Sequence, residues 1–228
     1  MRRKNAWTTY NKKQLDELEK LCKNYLKFLD KGKTERECVK QIVKQAEEKG
    51  YVNLADITKD KKALKAGDKV YSVCMDKTVA LFQIGKKKLE KGMNILGAHI
   101  DSPRMDVKQN PLYESEEFAY LDTHYYGGIK KYQWVTLPLA LHGVVVKKDG
   151  TVITVNVGED KNDPVFCVTD LLIHLAGEQM EKKANKVIEG ENLDVLVGSK
   201  PLEGKEKDAV KEGILEIPVS YTHLTLPT

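Results

Sequence analysis

The sequence predicts an α/β protein with two parts, a first part of helices and short strands and a second part rich in β-structure. Two amphipathic helical patterns lie within the first 50 residues, and short apolar runs follow them as far as residue 98. From about residue 106 the chain carries strand and hairpin signals instead. Helices followed by short apolar strands are typical of an α/β layer, and the change of pattern indicates a second domain.

Two helices and three strands are predicted in the first part. Apolar residues spaced three and four apart over 15–29 form one face of a helix. Thr34 and Glu37 form a capping box at the start of a second helix, and Gly50 is a natural end for it. Three short apolar runs, which could pair antiparallel, then predict strands. These strands are expected at 70–73, 78–84 and 93–98.

A hairpin and one further helix are predicted in the second part. The strands of the hairpin, 144–148 and 151–155, flank Asp149 and Gly150, a pair that readily takes the positive φ of a type I′ turn. Thr169 is expected to cap a helix that continues to Met180. Short strands and a charged, helical segment are expected from 185 to 217.

The last residues differ from the rest of the chain. Residues 219–228 carry no charge and no periodic pattern. They resemble the translation of a transposon-derived sequencing adaptor, and an ordinary terminal segment is the alternative. We expect a non-native tail at 218–228, joined where the assembly of the gene broke after about Ile217.

Composition excludes several classes of function. The 228 residues are 41% hydrophobic and carry 38 basic against 34 acidic side chains, a net charge of +4. Such a small charge on scattered lysines does not indicate a nucleic acid partner. No apolar run approaches the roughly 18 residues of a membrane span. The four cysteines form no Cys-x-x-Cys pair and the first residues show no secretory signal, so we expect a cytoplasmic protein with reduced thiols.

The strongest chemical signal is Gly-Ala-His-Ile-Asp-Ser-Pro at residues 97–103. His99 follows the apolar strand expected at 94–98, and sites in α/β sheets form at the carboxyl ends of strands. Asp101 lies on the same side of an extended chain, where a carboxylate can orient an imidazole toward a metal. Taken alone, this His-x-Asp pattern indicates either a metal site or an ordinary pair at the end of a strand.

Three segments in the same order resemble the M18 aminopeptidases, the aspartyl aminopeptidase family. Residues 97–103 are similar to the first metal motif of that family. Residues 121–134 resemble the Tyr-Gly-Gly segment of its bacterial members, and residues 170–175 its apolar-Ile-His-Leu element. The likeness extends from about Asn5 to Ile217.

The resemblance implies a phosphorylase/hydrolase-like α/β catalytic domain that is interrupted by a β-rich dimerisation domain. Residues 1–105 would form the first part of the catalytic domain, and residues 106–217 the dimerisation domain. The second part of the catalytic domain would follow residue 217. The intact protein would be a zinc-dependent aminopeptidase that removes N-terminal residues from peptides, acidic ones among the candidates, and that assembles as a homo-oligomer of dimers.

The resemblance also implies a site for two zinc ions. This sequence contains only some of the residues that would form that site. His99 matches a metal ligand, and Asp101 matches the catalytic aspartate that supports it. The bridging aspartate, the Glu-Glu pair with the general base, another acidic ligand and a late histidine would all follow residue 217. Glu47–Glu48 and Glu116–Glu117 precede that region and are expected to be solvated acids. We therefore expect an inactive fragment that binds zinc weakly, since catalytic zinc needs three protein ligands.

Three other histidines are candidates for a functional or a structural role. The residues around His174 alone predict a hydrogen-bonded core residue near the start of a helix. The resemblance implies instead that His174 is catalytic, reaching into the site of the neighbouring subunit to position the substrate. His124 and His142 have no carboxylate at ligand spacing and are expected to be structural.

Two other functions stay open at this point. One is a non-catalytic oligomerisation or binding module, in which the β-rich part pairs with itself or with a partner. The other is a different two-metal amidohydrolase such as a deacylase, which an assay of N-acyl against free-amine substrates would distinguish. Metal ligands encoded downstream would favour an enzyme over the module.

Overall fold

A computed structural model describes residues 3–215 and divides the chain into two compact units. The first unit ends at Ser102 and the second begins at Pro103, close to the boundary expected at residue 105. The expected non-native tail, 218–228, lies outside the described residues. No helix within residues 3–215 has the length and apolarity that crossing a membrane requires.

The first unit is a small three-stranded sheet with three helices. Its strands follow the order β1-β2-β3, and β1 is parallel to β2 while β2 and β3 are antiparallel. Both predicted helices are confirmed, and each begins with a complete capping box. The elements are α1 (Lys12–Lys31), α2 (Glu35–Glu48), β1 (Val52–Asn53), α3 (Leu54–Lys59), β2 (Lys69–Cys74) and β3 (Thr78–Gln83).

Among the three helices of this unit, α2 is the one with buried residues. Cys38, Val39 and Ala46 are buried on one of its faces. At its end Glu47 accepts a hydrogen bond of 2.7 Å from the hydroxyl of the buried Tyr71. That hydrogen bond and burial raise the pKa of Tyr71. Glu47 is therefore more than the solvated acid that the sequence predicts, because it anchors strand β2 to the helix.

The third predicted strand of this part, 93–98, does not form. Residues 92–103 have no regular secondary structure, and the side chain of Leu96 is fully exposed at 101%. A strand needs a neighbour for its backbone hydrogen bonds, and no described strand pairs with this segment. The prediction was wrong for the chain as it stands because periodicity does not show whether a pairing partner exists.

The second unit is β-rich, as the sequence predicts. One antiparallel sheet has the order β4-β5-β9-β8, and strands β6 and β7 form a separate two-stranded sheet. The core is apolar, with Leu121, Phe166 and Leu193 among its buried residues. The elements are β4 (Arg104–Ser115), β5 (Phe118–Tyr126), β6 (Leu141–Val146), β7 (Val152–Val157), β8 (Cys167–Val168), α4 (Gly177–Met180), β9 (Val195–Gly198) and α5 (Ala209–Leu215).

The β6–β7 hairpin is confirmed, but its turn differs from the predicted type I′. Of Asp149 and Gly150 only the glycine has a positive φ, at 84°. The Gly150 N–H donates to the Lys147 carbonyl at 2.9 Å, and the Asp149 carboxylate accepts from the Thr151 N–H at 2.8 Å. The hydrogen bonds from Thr151 lower the pKa of Asp149. Asp149 has no positive φ, and the Lys147 N–H donates to the Thr151 carbonyl at 2.8 Å, so the turn encloses three residues, 148–150, instead of the predicted two.

The helix predicted from Thr169 to Met180 is mostly absent. Only the single turn α4 at its end is helical, and before it residues 171–175 are irregular apart from a turn at 173–175. These apolar side chains contact no core among the described residues, since the four of them are 55% to 70% exposed. Helices in proteins are stabilised mainly by packing of an apolar face, and here that packing is missing.

One carboxylate links two strands of the larger sheet to the residue that precedes a third strand, β9. Asp194 accepts a hydrogen bond of 2.6 Å from the Tyr113 hydroxyl on β4 and one of 3.3 Å from the Thr123 N–H on β5. The buried Thr123 hydroxyl donates to the neighbouring Leu193 carbonyl. Burial and the hydrogen bond to Asp194 raise the pKa of Tyr113 well above its usual range.

We expect Tyr113→Phe to lower the free energy of unfolding by about 2 kcal/mol at pH 7, because a hydrogen bond to a charged acceptor is lost. The folded-state pKa of Tyr113 is raised, so its contribution is fully present below pH 10 and is lost as pH rises through the folded pKa. Urea unfolding at pH 7 and at alkaline pH measures both effects. Tyr120→Phe, in the stacked neighbouring ring, is the control. Equal losses in the two variants would contradict the role of Asp194.

The turn between β4 and β5 is strained. Glu116 and Glu117 link the paired residues Ser115 and Phe118, and both have positive φ, at 49° and 62°. A two-residue turn of this kind favours Asn-Gly, because a side chain with a Cβ is costly in the left-handed region. Both glutamates are exposed, as the sequence predicts.

The double substitution Glu116→Asn with Glu117→Gly should raise the free energy of unfolding by about 1 kcal/mol. Urea unfolding at neutral pH measures the change. The matched control is Glu116→Gln with Glu117→Gln, which removes the same two charges but keeps the strained backbone. If the control were equally stabilising, charge repulsion rather than backbone strain would be the cause.

Candidate functional site

The structure brings His99 and Asp101 together. The Nδ1 atom of His99 lies 3.3 Å from Oδ1 of Asp101 and 3.0 Å from the backbone carbonyl oxygen of Asp101. His99 is 84% exposed in its side chain and Asp101 is 40% exposed. The two residues therefore form a small surface pair within an irregular segment rather than at the end of a strand.

This contact selects one form of the His99 ring. A carbonyl oxygen can only accept a hydrogen bond, so Nδ1 of His99 carries the proton. In the neutral ring the lone pair is then on Nε2, the nitrogen that remains able to bind a metal ion. A carboxylate beside the N–H of a ligating histidine also raises its basicity. The pair thus has the chemistry of one metal ligand and its orienting acid.

One ligand does not make a zinc site. Within residues 3–215, no group of three or more His, Cys, Asp or Glu side chains is arranged to hold a metal ion. Catalytic zinc is normally held by three protein ligands. The donor chemistry of His99 therefore fits zinc, but the number of ligands in the described part of the chain does not.

His174 lies in the second unit, in the turn formed by residues 173–175. It is exposed, so the interpretation of His174 as a core residue is wrong. The reason is the missing helix described above, since the apolar residues on either side of His174 are exposed as well. His99 and Asp101 belong to the first unit, so each unit carries its own part of the predicted site.

His142 has an acidic partner that its sequence neighbourhood does not indicate. Its Nε2 lies 3.0 Å from Oε1 of Glu159, and the His142 side chain is only 11% exposed. The antiparallel register, in which His142 opposes Asn156, brings Glu159 near although it is 17 residues away. This pair is compatible with the structural role predicted for His142. No carboxylate lies at ligand spacing in the sequence, but the fold brings that of Glu159 to the ring. His124 is exposed on β5, with its ring 6.4 Å from that of Tyr125.

Comparisons with known proteins agree on one family. The model of the family described as aminopeptidase I zinc metalloprotease (M18) matches residues 28–223. The probable M18 family aminopeptidase 1 of Clostridium acetobutylicum is 60% identical over 215 residues, which are 94% of this chain. An M18 family aminopeptidase structure from Thermotoga maritima has a TM-score of 0.86 at 44% identity, and the match covers 95% of this chain and 46% of that chain.

A more distant structure shares the fold. The S. cerevisiae mApe1 dodecamer has a TM-score of 0.59 at 20% identity, over 84% of this chain and 40% of that chain. The chain spans about half the length of the curated relatives it matches, 46% in the case of the Clostridium acetobutylicum protein. Residues in the other half of those relatives have no counterpart in this sequence.

Proposed function

The chain belongs to the M18 family of aminopeptidases, and from that premise we propose that it is the amino-terminal part of a zinc-dependent enzyme that removes N-terminal residues from peptides. Acidic N-terminal residues are among the candidate substrates. The observation that carries the proposal is the contact between His99 and Asp101, because it leaves one imidazole nitrogen able to bind a metal ion and gives the other a carboxylate partner.

His99 would bind zinc through Nε2, and Asp101 would hold the ring in the required form. When bound, a two-zinc site supplies an activated water molecule and polarises the scissile carbonyl. The remaining metal ligands and the general base would be encoded after residue 217, in the half that the relatives have and this sequence lacks. The described residues would therefore supply one metal ligand, His99, and the acid that orients it, Asp101.

The two units would have different tasks. We assign the first unit to a phosphorylase/hydrolase-like catalytic domain, and the second to a dimerisation domain inserted into it. The exposed apolar segment 93–96 supports the first assignment, because such a segment becomes a stable strand only when a further strand pairs with it. The rest of the catalytic sheet would provide that strand.

In this proposal His174 acts in the site of a neighbouring subunit. Its exposure, together with that of Leu172 and Ile173, supports a role at an interface rather than in a core. Dimers of this kind would assemble further, as one protein with this fold is a dodecamer. We place the enzyme in the cytoplasm, with peptides as its substrates.

The 228-residue chain should bind zinc weakly, and His99→Ala should abolish that binding, because His99 is the ligand. Competition with a chromophoric zinc chelator measures the affinity. His124→Ala, which removes another exposed histidine, is the matched control and should leave the affinity unchanged. Asp101→Ala should weaken the binding roughly ten- to a hundredfold, because the carboxylate orients the ligand.

The same chain should release no amino acid from an acidic dipeptide, since the described residues hold no complete metal site. Detectable release by the purified chain would contradict the assignment of the missing ligands to the absent half. Equal zinc affinity in His99→Ala and His124→Ala would contradict the role of His99.

His174→Ala in the full-length enzyme should lower turnover while the dimer persists, because the imidazole touches substrate but contributes little to the interface. A rough expectation is a hundredfold loss, the size typical of one positioned catalytic group. Steady-state kinetics and sedimentation measure the two properties. Unchanged turnover, or dissociation of the dimer, would contradict the proposed role.

A further inference from the structure

The loop that carries His174 is fixed at both ends. At one end Val168 is buried, and its carbonyl accepts a hydrogen bond of 2.7 Å from the Thr136 N–H. At the other end Ala176 is buried, and its carbonyl accepts the first hydrogen bond of α4, 2.8 Å from the Met180 N–H. Between these anchors the chain leaves the core and returns to it within seven residues, 169–175.

A side chain closes the base of this loop. One oxygen of Asp170, Oδ1, accepts two hydrogen bonds, 2.9 Å from the Leu171 N–H and 2.8 Å from Nε2 of Gln179. Hydrogen bonds to a carboxylate are among the stronger ones in proteins. Since Asp170 lies at the start of the loop and Gln179 lies after its end, in α4, the pair acts as a clamp across its base.

The loop is also ordered from within. The Leu175 N–H donates to the Leu172 carbonyl at 2.8 Å, which forms a tight turn with His174 inside it. This turn holds exposed apolar side chains without any core to support them. Its direction must therefore come from the two anchors and from the Asp170–Gln179 clamp.

We propose that Asp170 and Gln179 are positioning residues, which fix the direction in which His174 projects from the second unit. The inference rests on the proposed function, in which His174 acts in a neighbouring subunit. A histidine that must reach a substrate in another subunit gains from a loop that is ordered before the subunits meet, because less conformational freedom is then lost on binding. Neither residue would touch the substrate.

Three substitutions distinguish an effect of the Asp170–Gln179 hydrogen bond from an effect on packing. Gln179→Ala removes the donor while keeping a good helix former in α4. Asp170→Ala removes the acceptor, and Asp170→Asn restores a carbonyl oxygen that can accept both bonds. Glu178→Ala, an exposed neighbour in the same helical turn, is the matched control.

The first measurement needs no activity and uses the 228-residue chain. Backbone ¹⁵N order parameters report motion on the picosecond to nanosecond scale. Gln179→Ala and Asp170→Ala should lower the order parameters of residues 171–175 and leave those of β4 and β5 unchanged, whereas Asp170→Asn and Glu178→Ala should resemble the parent chain. Unchanged order parameters in Gln179→Ala would overturn the clamp, whatever the role of His174.

The second measurement is steady-state kinetics of the full-length enzyme. Gln179→Ala and Asp170→Ala should lower kcat roughly tenfold with little change in KM or thermal midpoint, because His174 is displaced rather than lost. Asp170→Asn should recover most of that loss. In a His174→Ala background the Gln179→Ala substitution should have no further effect.

The outcomes distinguish this inference from the proposed function. If His174→Ala lowers turnover but Gln179→Ala does not, the positioning role is overturned and the role of His174 stands. If His174→Ala has no effect, the role of His174 is wrong and the positioning role falls with it, while the order parameters still decide whether the clamp exists. An additive loss in the double variant would show that the clamp acts on something other than His174.

Discussion

The second unit depends on the carboxylate of Asp194, which ties β4 and β5 to the chain that enters β9. The register between β4 and β5 shifts between Val107 and Leu112, so backbone pairing alone does not lock these strands. Tyr113 donates to one oxygen of Asp194 and the Thr123 N–H to the other. Asp194 is half-buried and lies between the buried residues Leu193 and Val195, so this polar link lies beside the apolar core and helps to fix the register of the strands.

In the first unit, much of the apolar surface of the described residues faces solvent. Helix α1 has no buried residue, although its apolar stripe includes Tyr25 and Leu26. The segment 93–96 is similarly exposed. An amphipathic helix and an apolar strand gain their stability from a partner, and the matched relatives are about twice as long as this chain. These exposed surfaces agree with the proposal that the first unit is one part of a larger catalytic domain.

Local signals in the sequence predicted local structure well. Capping residues and apolar spacing gave α1 and α2, and the Asp149–Gly150 pair gave the hairpin. The errors, a strand at 93–98 and a helix at 169–180, fall where apolar patterns need a neighbour that the described residues lack. The contacts of Glu47 and Glu159 were missed because both join residues far apart in sequence. The motif around His99 predicted the pair with Asp101, which needs a spacing of only two residues.

The difference between contacts of residues close in sequence and contacts of residues far apart also explains why this sequence indicates a family more readily than an active site. A histidine and the acid that orients it can lie two residues apart, as His99 and Asp101 do, so a short motif can reveal both. A site of two zinc ions needs ligands that converge from several strands, and convergence is a property of the whole sheet. The described residues place His99 and Asp101 on an irregular segment that no described strand pairs with. If, as proposed above, further strands pair with this segment and bring metal ligands to His99, folding of that sheet and zinc binding should be linked.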